Sequence, residues 1–143
     1  MITTERASAY FAAYGQTLSD FDASASATLW GLPATVLTDD FAASIYTREE
    51  LAEAVEQSYP LYQRLGLAGV SFDIVDTVPI TAKIARVRVH WHFLDAQDEV
   101  LTDGSFEYIL RDDTDGLHCY VSISIDEDEK IAELARRKGV SLD

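Results

Sequence analysis

At Gly69 the spacing of apolar residues changes from every third or fourth position to every second, so the chain reads as a helical first half followed by a sheet-forming second half. Beyond that switch, alternating runs cover 70–78, 81–94, 99–111 and 117–125. The connectors at 95–98 and 112–116 are short and rich in Asp and Gly, which predicts an antiparallel meander. Gly104, isolated within the third run, is expected to mark a bulge or bend, giving a bent sheet. The period of two sorts side chains onto opposite faces. One face carries Ala85, Val87, Val89, Trp91 and Phe93, then Phe106, Tyr108 and Leu110, then Cys119, Val121, Ile123 and Ile125. The other carries Arg86, Arg88, His90, His92, Glu107, Ile109, His118 and Tyr120. The apolar face is expected to be the concave one.

Ahead of Gly69 the same reasoning finds three helices. Thr3 or Thr4 caps the first, whose buried stripe is Ala7, Tyr10, Phe11, Tyr14 and Leu18. Asp22 caps a second over 23–30, which Gly31 and Pro33 end. A short β-like run at 34–37 has a return partner at 44–46. Thr47 and Glu50 form a capping box opening the third helix, with Leu51, Val55, Tyr59 and Tyr62 on one side and Pro60 interrupting it. After the sheet, 126–138 begins with four acidic residues and ends with Arg136, Arg137 and Lys138, the charge order a helix dipole favours. The expected class is α+β, and at 143 residues one domain over 1–143.

Composition narrows the function classes. With 25 acidic against 11 basic residues the net charge is -14, a field that repels phosphate backbones and anionic lipid heads, so neither nucleic acid nor a membrane is an expected partner. Cys119 is the single cysteine, which excludes an intrachain disulfide and a thiolate metal cluster and reads as core. No basic, apolar leader begins the sequence, and a cytoplasmic location is expected. There is no Gly-rich phosphate loop, no Gly-x-Ser-x-Gly elbow and no Cys/His nucleophile pair, which argues against phosphoryl transfer and serine or cysteine hydrolysis.

Tyr14, Asp22, Trp30 and the run Ala34-Thr35-Val36 follow the spacing found at the start of ketosteroid isomerases. With the order of helices and strands, the chain resembles the nuclear transport factor 2-like superfamily, the cystatin-like cone fold that also carries SnoaL-like cyclases. The resemblance implies three helices over the concave face of the bent sheet, a pocket between them, and a short helix at the end. Carried over by position, it retains the isomerases' helix-one tyrosine as Tyr14, sets Thr38 at the base position with Asp39 and Asp40 directly after it, and sets Tyr108 where a protonated acid belongs. That pattern argues against steroid isomerisation by the family's mechanism.

The expected polar site is therefore Tyr14, Asp39 and Tyr108. Tyr10, Phe11, Trp30, Trp91, Phe106, Val121 and Ile125 are the expected lining for a small apolar molecule. Asp76, in phase with Phe72 and Ile74, points inward or sits on a bulge. His90, His92 and His118 share the opposite face. No carboxylate or thiol spacing beside them supports zinc, and no cofactor is expected. In relatives that dimerise this face is the subunit contact, so the resemblance implies a homodimer through it. Two readings follow: a small-molecule pocket acting as an isomerase, cyclase, dehydratase or hydrolase, or a non-catalytic homodimer whose cone is filled by its own side chains.

Overall fold

The computed structural model describes residues 1–142. Helix α1 (Thr4–Ser19) is capped by the Thr3 side chain, which accepts from the Arg6 amide. Helix α2 (Ala23–Thr28) is capped in the same way by Asp22. Strand β1 (Trp30–Leu37) pairs antiparallel with β2 (Ala42–Ile45). The Thr47 side chain caps α3 (Arg48–Glu56), and Pro60 falls in the first turn of a separate short helix, α4 (Tyr59–Arg64), where its missing donor costs nothing. Four strands follow: β3 (Gly69–Pro79), β4 (Ile84–Leu94), β5 (Val100–Asp113) and β6 (Gly116–Ser124). Helix α5 (Glu127–Lys138) is the last element. No helix is long and apolar enough to cross a membrane.

The six strands form one sheet in the order β2-β1-β6-β5-β4-β3, antiparallel except where β1 runs parallel to β6. The architecture is α+β, with helices on the concave face of a curved sheet. The core is strongly aromatic. Phe11 is fully buried with its ring centroid 4.9 Å from that of Tyr108 and 6.1 Å from that of Trp91.

Three expectations are corrected here. Trp30 and Gly31 do not end a helix. They open β1, because the main chain there is taken up by β6, with Trp30 opposite Cys119. The third helix is two, divided ahead of Pro60. The bulge expected at Gly104 lies elsewhere: Gly104 stays in register opposite Trp91, and the shift comes where Phe93 and Leu94 face Thr102 and Val100. Gly104 lies directly under the start of α5, where a Cβ would stand 3.4 Å from the Glu127 Cβ, in van der Waals contact.

Another bulge has larger consequences. Between Leu110 opposite Cys119 and Ile109 opposite Val121, β6 carries one extra residue, Tyr120. A one-residue insertion exchanges the faces of everything beyond it. Val121 and Ile123 therefore lie opposite the outward Ile109 and Glu107, while buried Ser122 pairs with the inward Tyr108. Val121, Ile123 and Ile125 are thus not on the concave face, and Ile125 is exposed. A bulge at Val75 does the same in β3, turning Asp76 outward opposite Arg88.

Candidate functional site

Beneath α1 and α4 the concave face leaves a cavity of about 170 Å³, walled by Trp91, Phe93, Phe106, Leu18 and Val55. Its polar groups are Tyr14 on α1, Ser58 at the start of α4, where its hydroxyl donates to the Val55 carbonyl, Tyr62 on α4, Tyr108 on β5, Ser122 on β6 and Glu127 on α5. Tyr14 faces inward because it continues the stripe of Ala7, Tyr10 and Phe11, and Tyr108 because strand alternation puts it between Phe106 and Leu110.

The two phenols have the same partner type. The Trp30 indole Nε1 donates to the Tyr14 hydroxyl at 3.2 Å, and the Trp91 Nε1 donates to the Tyr108 hydroxyl at 2.8 Å. An indole N–H can only donate, so each phenol oxygen is held as an acceptor and its own proton remains to be given. Among the described residues neither proton has an acceptor. Both phenols are raised in pKa, chiefly by burial, and both also feel the negative charge of Glu127.

Glu127 is the carboxyl of the cavity. Tyr62 donates to its Oε1 at 2.6 Å. Burial pushes the acid up to about 7 against that hydrogen bond, and the charges of Asp128 and Asp126 add to the rise. The residue as a whole is half-buried, since the surface it keeps faces the cavity and the two depressions beside it. Its placement is fixed by Asp126, whose Oδ1 accepts from the Ser105 amide at 2.7 Å and hooks α5 to β5.

Of the residues expected from sequence, Tyr14, Tyr108, Trp91 and Phe106 line this cavity. Tyr10, Phe11 and Trp30 stand behind its wall. The Tyr10 hydroxyl donates to the Leu29 carbonyl at 2.6 Å, Phe11 is packed on all sides, and Trp30 reaches the site only through Tyr14. Val121 and Ile125 are excluded by the Tyr120 bulge. Asp39 is exposed and lines a neighbouring depression with Asp40 and Ile125, which touches the cavity only through Glu127. Glu127 itself was legible: 127, 131, 134 and 135 fall on one helical stripe with the buried Ile131, Leu134 and Ala135. Its position in a run of four acids disguised it as a dipole-stabilising surface charge.

The histidines are divided. His90 and His92 lie side by side on β4, each tied across the sheet to a carboxylate, Asp103 at 2.7 Å and Asp73 at 2.9 Å. Strand pairing thus puts Asp73 beside the histidine pair, a carboxylate that linear spacing did not reveal; Asp73, His90 and His92 have potential ligand atoms within 4.8 Å of one another. His118 sits apart, beside a wider depression of about 600 Å³ that also receives Arg48, Lys83 and Arg111. There Asp113 accepts from Arg111 at 2.6 Å and Tyr120 at 2.7 Å, and lies 2.9 Å from His118 Nδ1. Many of that depression's charges are matched internally, whereas the cone cavity is apolar and holds donors without acceptors. The smaller cavity is the better candidate.

Solved structures of similar shape come from several bacteria. A domain of unknown function with a cystatin-like fold from Nostoc punctiforme aligns with a TM-score of 0.68 at 13% identity, over 99% of this chain and 90% of that one. An NTF2-like protein of unknown function from Shewanella oneidensis aligns with 0.68 at 14%, over 86% and 98%. A ketosteroid isomerase-like protein from Erwinia carotovora atroseptica aligns with 0.60 at 19%, over 86% and 96%. At such identities the likeness concerns the fold alone. No curated protein matches the chain. The model of the NTF2-like protein family DUF6841 matches residues 4–126, from the first turn of α1 to the hook that precedes α5, and the chain belongs to that family.

Proposed function

We propose that this protein binds a compact, largely apolar molecule bearing an oxygen acceptor, and that Glu127 is the proton-carrying group beside it. The observation that carries the reading is the pair of buried phenols, Tyr14 and Tyr108, each with its oxygen engaged by an indole and its proton unclaimed within one cavity. A ligand oxygen accepting both protons satisfies them at once, and burying such donors unmatched costs about 1–3 kcal/mol apiece. A volume of about 170 Å³ lies below the roughly 300–1,000 Å³ of pockets for drug-sized ligands, which points to a fragment-sized molecule and away from a steroid. An unfilled volume of this size also speaks against a cone packed solid by its own side chains.

The chemistry such a site supports is proton transfer next to a carbonyl or phenolic oxygen. Two fixed O–H donors stabilise charge developing on that oxygen, and a carboxyl that titrates near neutrality both accepts and returns a proton. Calorimetry with para-ethylphenol and cyclohexanone tests the binding. Each is expected to bind the wild type, and Tyr108→Phe is expected to weaken binding by about one hydrogen bond, ~0.5–1.5 kcal/mol. If neither fragment binds, or if Tyr14→Phe and Tyr108→Phe both leave binding untouched, the reading fails.

A further inference from the structure

The cavity and the depressions that join it at Glu127 contain a carboxyl system with no counter-ion. The cavity holds Glu127. The depression on one side adds Asp39, Asp40, Asp126 and Glu129, and Asp128 borders both depressions. Among the described residues no Lys, Arg or His lines any of the three. Lys130, on the same helix, is committed to Asp103 at 2.9 Å. A carboxylate enclosed by aromatic rings is costly unless a cation accompanies it. Here the cavity is walled by aromatic rings, Trp91, Phe106 and Tyr62, a residue type whose π faces attract cations. The carboxylates gathered around Glu127 exceed what the N-terminus of α5 can offset and favour positive charge, while Tyr14 and Tyr108 in the same cavity offer two donors to an oxygen.

We propose that the ligand of this pocket is a small amine: a molecule whose protonated nitrogen pairs with Glu127 at the entrance while its oxygen takes the Tyr14 and Tyr108 protons. This rests on the pocket reading above and adds the charge of the ligand. The groups facing Glu127 are Tyr62 from α4, Tyr14 from α1, Tyr108 from β5, Asp126 just ahead of α5 and Asp128 on it. None carries a formal positive charge, and beyond the partial charge of the α5 N-terminus the ligand's ammonium is the missing partner. Pairing favours the ionised carboxylate, and below about pH 7 binding should expel the Glu127 proton.

Three probes of similar size separate the possibilities: tyramine (cationic), para-ethylphenol (neutral) and para-hydroxyphenylacetate (anionic), measured by calorimetry at about pH 8, above the range in which Glu127 titrates. Tyramine is expected to bind at least about tenfold more tightly than para-ethylphenol, and para-hydroxyphenylacetate more weakly than either. Within Glu127→Gln, tyramine and para-ethylphenol are expected to bind with equal affinity, the tenfold preference for the cation being lost. At about pH 6, buffers of different ionisation enthalpy should reveal proton release on tyramine binding to the wild type and none for para-ethylphenol. This arm carries the test if the Gln variant does not fold. Equal affinity for the cationic and neutral probes overturns the amine assignment while the pocket stands. Failure of all three to bind overturns the amine assignment, and the pocket reading with it if cyclohexanone also fails to bind.

Discussion

Glu127 is where stability and function pull against each other. Its acid lies near 7 in the folded protein, above the ordinary 4.5, so the protonated form is the one that folding favours. Its penalty is absent below the unfolded value, grows as pH rises from about 4.5, and is complete above about 7. Glu127→Gln keeps an acceptor for Tyr62 and removes the charge. It should raise stability by about 1–3 kcal/mol at about pH 8, allowing for partial solvation, and change it little at about pH 4. Urea unfolding at the two pH values reads this directly, and an equal effect at both would show that ionisation is not the cause. Tyr10 offers a contrast. Its hydroxyl is spent on the Leu29 carbonyl, so Tyr10→Phe is expected to cost about 0.5–1.5 kcal/mol of stability without altering fragment binding.

Elements in this fold are positioned by a few polar hooks laid over the aromatic core. Arg48 at the start of α3 donates to the carbonyls of Ala27 and Trp30, at 2.5 and 2.6 Å, closing the exposed end of α2 onto β1. Asp126 does the corresponding work for α5, and Asp126→Ala is expected to cost about 1–2 kcal/mol and to weaken ligand binding by displacing Glu127. A comparable loss of stability with unchanged binding would separate the two effects. Gly31 on β1 lies under the Tyr120 ring, which Arg111 covers at 4.4 Å, and a Cβ there would fall within the ring. Gly31→Ala should therefore destabilise by about 1–3 kcal/mol, and a second change, Tyr120→Ser, should recover part of the loss, as thermal melts of the pair would register.

Much of this was legible because period and capping are local. The 3.6-to-2 switch at Gly69, the caps at Thr3, Asp22 and Thr47, and the break at Pro60 each depend on residues within a few positions of one another. The inward turn of Tyr14 and Tyr108 was readable for the same reason. What could not be read was register. The extra residues Val75 and Tyr120 carry no local signature, being ordinary strand formers, and only pairing with the neighbouring strand identifies them as insertions. Each displaced the expected face of every residue after it, which is why Val121 and Ile125 were expected inside and Ser122 was not.

Taken whole, the molecule carries a net charge of -14, and its carboxylates are far from evenly matched. Asp112 and Asp113 are paired with Arg6 and Arg111, Asp103 with Lys130, and Glu107 with Arg86 and Arg88. Asp39, Asp40, Asp126, Glu127, Asp128 and Glu129 gather at the α5 end of the cavity. Self-repulsion should weaken as salt is added, and raising sodium chloride from about 10 mM to about 300 mM is expected to raise the melting temperature by a few degrees. A flat response would mean that the excess charges lie too far apart to interact. The Tyr120 bulge bears on how such a pocket diversifies. The chemistry of the β6 wall depends on how many residues precede it as much as on which residues they are. Deleting the Ser122 codon just beyond the bulge would move Ile123 opposite Tyr108 and Ile125 opposite Phe106 in place of Ser122 and Ser124, so a change in length, with no substitution at all, would convert a hydroxyl-lined wall into a greasy one.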